Sequence, residues 1–266
     1  TVDGSTSGGT DRSLTITNAD ASPASAVIFV GSGAGAAPGA TNDTFRNLVV
    51  VGSGGSQTLH GIGFGGSNVD TPGTDNDANR VENCDIRKAQ IGIATRGASV
   101  ANKNTGTVLT RNLLNSAGAN GLGRGGILAA FEDGIQITEN AIGGIVSAGG
   151  GDLFGISVGG LTTWTNATTA GGSEVSNAIV TRNAIGAVQQ TGGLSAAGIV
   201  VAPATTGTTT LANNFVSGVA ANGTAGEFGA GILLIDSGTD SATRIFANSV
   251  ALTGTFGGGD QGQFAL

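Results

Sequence analysis

Few side chains in this 266-residue sequence can do chemistry, and they are scattered. There is one His, His60, and one Cys, Cys84, so no internal disulfide can form. Glycosidic cleavage needs two carboxyl groups on one face, about 5–9.5 Å apart. Glu132 and Asp133 are the one pair of adjacent acids, and neighbouring residues of a strand point to opposite faces. Asp85 and Arg87 share a face at i, i+2, where the Arg could orient an acidic sugar. The corresponding positions of the next repeat, Leu113 and Asn115, supply no second carboxylate. The loop Asp70–Asn79 gathers oxygen ligands: Asp75 and Asp77 alternate as in Ca²⁺-binding loops, with Asp70 and Asn79 within reach. Trp164, in a Thr-rich stretch, could stack on a sugar ring. Ca²⁺ is therefore the one cofactor to test, and a glycan the one small partner.

The elements that must position these residues follow from composition. Gly accounts for 50 residues, charged residues for 11%, hydrophobic residues for 39%, and mean hydropathy is +0.18. So much Gly opposes helices, each costing about 1 kcal/mol relative to Ala. The apolar content opposes disorder. Short strands and tight turns remain. The net charge of −7 offers no basic face for nucleic acid. Apolar runs stop at four or five residues, far below the roughly 20 of a transmembrane helix. A chain that starts at Thr1 and contains no Met reads as a processed product or a piece of a longer protein.

Internal repeats organise those strands. Leu109-Thr-Arg-Asn112-Leu-Leu114 matches Ile137-Thr-Glu-Asn140-Ala-Ile142 and Val180-Thr-Arg-Asn183-Ala-Ile185. Extending the register gives a first apolar column of Ile16, Phe45, Val81, Leu109, Ile137, Val180, Leu211 and Ile245. A column five residues later holds Ala21, Val50, Ile86, Leu114, Ile142, Ile185, Val216 and Val250. Between them run Ala19, Leu48, Cys84, Asn112, Asn140, Asn183, Asn214 and Asn248. A second motif follows each first one: Gly61-Ile62, Gly92-Ile93, Gly126-Ile127, Gly155-Ile156, Gly198-Ile199 and Gly231-Ile232, with Val27-Ile28 as a weaker copy. Two strands per irregular repeat predict a parallel β-solenoid of about eight coils, an all-β single domain over 1–266. Its branched side chains would stack about 4.8 Å apart inside, with Asn ladders at bends. Outside, Glu139 would lie between Arg111 and Arg182.

These coils, with Gly9-Thr-Asp-Arg-Ser-Leu-Thr-Ile-Thr-Asn18 and Thr74-Asp-Asn-Asp-Ala-Asn79, resemble the right-handed parallel β-helix repeat domains of large secreted bacterial surface proteins. The resemblance covers essentially the whole chain. It implies a pectin-lyase-like coil, a secreted or cell-surface location and no enzymatic activity. Polygalacturonase-like enzymes of similar fold carry Asn-Thr-Asp, Asp-Asp, Gly-His-Gly and Arg-Ile-Lys motifs; this sequence has none. The expectation is a non-catalytic structural or adhesive solenoid that could stack end to end with itself or bind surface glycans. A carbohydrate-binding module is the alternative, and a polysaccharide lyase or hydrolase a weaker one. His60, with no partner in sequence, reads as structural.

Overall fold

The computed structural model describes residues 1–33, 39–149, 151–160, 173–222, 227–235, 242–252 and 263–266. Among these residues the chain forms a right-handed parallel β-helix whose successive coils contribute one strand to each of three eight-stranded sheets. At about 4.8 Å per coil the rod is about 40 Å long. The helical content of the described residues is a single 3₁₀ turn, Gly118–Asn120.

The first sheet carries the column Val2, Phe45, Val81, Leu109, Ile137, Val180, Leu211 and Ile245, paired in register. The second aligns Ile16, Val50, Ile86, Leu114, Ile142, Ile185, Val216 and Val250. The third stacks Ile28, Ile62, Ile93, Ile127, Ile156, Ile199 and Ile232. Apart from the exposed Val2, these columns form one continuous hydrophobic core.

Three expectations need correction. Each coil holds three strands rather than two, because the Asn of the first motif sits at a bend and divides that motif between the first and second sheets. In the first coil Val2, not Ile16, takes the first column, and Ile16 belongs where Ala21 was expected. Leu14 likewise pairs with Leu48 in place of Ala19. The extra residues between Asp3 and Leu14 break the spacing there. Their loop is tied to the rod by Arg12, which donates to the Asn83 carbonyl two coils away (Nε–O 2.8 Å). Third, Glu139 lies between Arg111 and Arg182 along the rod, but the charges do not form one ladder: Glu139 pairs with Arg182 at 2.9 Å, and Arg111 pairs with Glu82.

The bend between the first and second sheets repeats a left-handed residue just before the Asn site: Asn47, Asn83, Arg111, Glu139, Arg182, Asn213 and Ala247 all have φ between 51° and 61°. Such a turn aims backbone polar groups at the interior instead of at the next strand, and the Asn side chains satisfy them. Asn140 Oδ1 accepts the backbone N–H and the amide of Asn112, both at 3.0 Å. Its Nδ2 donates to Leu109 O at 3.0 Å and to Asn183 Oδ1 at 2.9 Å. The pattern continues through Asn214 to Asn248. Cys84 continues it with a thiol, which donates to Phe45 O at 3.6 Å. Burial pushes that thiol up to about 11, so it stays a neutral donor.

Candidate functional site

The strands that carry the acids place most of them against a partner. Asp85 and Arg87 do share the outer face of the second sheet, and they bond each other: Nε–Oδ1 is 2.9 Å and Nη2–Oδ2 is 2.5 Å. Leu113 stands opposite Asp85 on the next coil. Glu82 is held by Arg80 and Arg111. Exposed pairs of this kind contribute at most about 1 kcal/mol each.

The outer face of the third sheet is apolar instead of acidic. Ile91, Phe154, Ala197 and Ala230 form one buried column there, with Ala94, Leu128 and Val200 beside it. His60 belongs to this face, paired with Ile91 of the next coil and with its ring against Gly63. Burial holds its imidazole down to about 4, so it is neutral, and among the described residues neither ring nitrogen has a hydrogen-bond partner. A structural role fits its position.

Asp70, Asp75, Asp77 and Asn79 do not converge. Asp70 is exposed and lies 3.6 Å from Arg96 of the next coil. Asp77 Oδ1 accepts the Thr105 N–H at 2.6 Å. Asn79 is buried, and both ends of its amide are used on the preceding coil: Oδ1 accepts Asp43 N–H and Nδ2 donates to Ala40 O, each at 2.9 Å. Asp75 lies exposed with φ 56°. Among the described residues no three His, Cys, Asp or Glu side chains come together as a metal site. Trp164 lies outside the described residues.

A polar constellation that the sequence reading did not single out sits at the bend between the third and first sheets. Asn76 Oδ1 accepts the Ala40 N–H, and Asn104 Oδ1 accepts the Asn76 N–H, both at 3.1 Å. Asn104 Nδ2 donates in turn to Glu132 Oε1 at 3.0 Å. This is a second, shorter ladder ending on an acid instead of an amide. Glu132 is fully buried, its Oε1 also receives the Thr95 hydroxyl, and the Thr107 hydroxyl lies beside it. Burial pushes its carboxyl up to about 7, against the pull of these donors. Asp133, its neighbour, points outward, as strand alternation requires. The signal in the sequence was spacing: Asn104 follows Asn76, and Glu132 follows Asn104, by 28 residues each.

No family model, curated protein or solved structure matches the chain. Among the described residues no helix is long and apolar enough to cross a membrane.

Proposed function

We propose that this chain is a non-catalytic structural and adhesive β-solenoid of pectin-lyase-like type, exported to the cell surface, whose rod extends by coil-on-coil stacking. The observation that carries this reading is the fate of its polar groups. The Asn ladders spend their amides on backbone groups of adjacent coils, and the carboxylates Glu82, Asp85 and Glu139 are each ion-paired. Carboxyls so engaged are poor candidates for the acid and base of glycosidic cleavage. Stacking is supported by the last coil, where Ile232, Ile245, Val250 and Ala265 border an opening of about 250 Å³ and Phe246 is 54% exposed. Another coil placed there would extend all three sheets and cover apolar surface.

Incubation with uronate and neutral polysaccharides, followed by reducing-end and unsaturated-product assays, is expected to give no turnover. Turnover lost on Asp85→Asn would replace the scaffold reading with a lyase or hydrolase. Sedimentation over a wide concentration range tests stacking; a strictly monomeric particle at the highest concentration would remove it.

A further inference from the structure

In the outward column of the third sheet, His60 stands between Ala26 of the first coil and Ile91 of the third. It is 4% exposed, and among the described residues nothing bonds either ring nitrogen. Two rings meet at Gly63, where a Cβ would lie 2.9 Å from His60 Nδ1 and 3.3 Å from Cδ2 of Phe29, a first-coil residue. The Phe29 ring also lies along the second coil at Gly65, where a Cβ would come within 3.6 Å of it. The first coil thus shields an imidazole that makes no hydrogen bond of its own.

The two sides of this site are not equally secure. The strand Ile91–Arg96 is buried over its first five residues and is held in turn by Gly125–Ala130. Among the described residues the strand Ala26–Gly31 pairs with His60–Gly65 alone, and four of its six residues are only half-buried. Ala26 sets a single methyl group beside the ring. Neither Ala26–Gly31 nor the rest of His60–Gly65 carries a charged side chain. The charges that reach the ring are Arg96, from the strand Ile91–Arg96, and Asp70, from the loop after Gly65; they act in opposite directions and pair at 3.6 Å. Burial outweighs both. An unpartnered ion is so costly in such a place that the ring must stay neutral or water must reach it. Local opening follows the least buried, least paired segment, here the first-coil strand.

We propose that His60 is an acid-sensitive latch on the first coil: the neutral ring stays packed and keeps Ala26–Gly31 on the rod, and the protonated ring releases that strand while the coils beyond Ile91 stay folded. Release would leave His60–Gly65 as a sheet edge with unpaired backbone groups. It would also remove the coil on which a second copy could stack. Control of stacking rests on the stacking reading above, whereas opening is a property of the single molecule, so the two fail separately.

Amide hydrogen exchange of the full chain at low concentration, read by NMR from pH 6.5 to 4 and corrected for the intrinsic rate, measures the opening. The ring's folded value is about 4 against an ordinary 6.5, so its hold is complete above about 6.5 and is lost as pH falls toward about 4. Opening of the amides shared by Ala26–Gly31 and His60–Gly65 should therefore rise by nearly tenfold per unit, on the order of 100-fold across this range. Amides between Leu153–Val158 and Ala196–Val201 should change far less. His60→Phe, which sets an apolar ring on an apolar face, should abolish the rise. With one His in the sequence, the wild-type ring signal is unambiguous, and it should stay neutral down to about 4. An equal rise in both sets of amides, no rise in either, or a slope retained in His60→Phe would overturn the proposal. So would a ring that titrates near 6.5 while the first coil stays protected, which the wild type alone reveals even if the variant fails to fold.

Discussion

Replacing Glu132 with Gln should make the protein more stable at neutral pH while leaving it nearly unchanged in acid. The carboxyl holds its proton up to about 7 in the folded state against an ordinary value of 4.5. Its contribution is therefore fully present below about 4.5 and is lost as pH rises through about 7. The difference of roughly 2.5 units corresponds to about 3 kcal/mol at about 1.4 kcal/mol per unit. His60 acts with the opposite sign. Its folded value is about 4 against 6.5, so its contribution is present above about 6.5 and is lost as pH falls toward about 4. Between about 4.5 and 6.5 the two slopes nearly cancel, and the wild-type curve should be flat there. The variant removes one arm. The introduced amide would accept from Thr95 and Asn104 through its oxygen, as the protonated acid does, and would donate to Thr107 through its nitrogen. Denaturant midpoints of both proteins, taken at half-unit steps from pH 4.5 to 7.5, yield a difference curve in which every other titration cancels. That curve should start near zero and rise to about 3 kcal/mol in favour of the variant. A difference that stays constant across this range would mean that Glu132 does not hold a proton in the core, and the argument would fail.

The Asn ladder makes its own demand. Asn140→Leu strips the partners from Asn112 N–H and Leu109 O, two buried backbone groups worth about 1–3 kcal/mol each, so melting should fall by roughly 5–20 °C in thermal unfolding; an unchanged transition would show the ladder to be incidental. Gly155→Ala should destabilise by about 1–3 kcal/mol, because the new Cβ would lie 2.5 Å from Gly198 O and 2.6 Å from Ile185 Cγ2. Gly186→Ala, whose nearest neighbour would be 3.5 Å away, is the control, and equal losses in circular dichroism melts would contradict the packing argument. Millimolar Ca²⁺ and a chelator should both leave the melting temperature unchanged, since Asp77 and Asn79 already serve backbone groups. A Ca²⁺-dependent rise abolished by Asp75→Ala with Asp77→Ala would instead make the loop a cation site.

Much of the architecture was legible in the residues because a solenoid repeats its environment. Ile137 meets Leu109 on one side and Val180 on the other, so the same apolar choice recurs at each coil and survives loops of different length. The six Gly-Ile pairs were readable for the same reason. Their glycines leave room for the second-sheet core: a Cβ on Gly92 would sit 2.2 Å from Leu114 Cδ2. Reading failed where periodicity was interrupted or diluted. The loop before Leu14 displaced Ile16 from its column, and a bend of one or two residues hid the boundary between two strands.

The site residues divide along the same line. Sequence alone determined that no carboxylate pair recurs on one face and that Asn lines a bend, because both are properties of spacing along the chain. Only the tertiary structure decided that Glu132 is a core group whose carboxyl is pushed up to about 7, that Asn79 belongs to the backbone network, and that Arg124 lies in a cleft. A side chain's charge state and reach depend on how much water its neighbours exclude. In a β-helix those neighbours come from the coils above and below, at least 28 residues away in the chain.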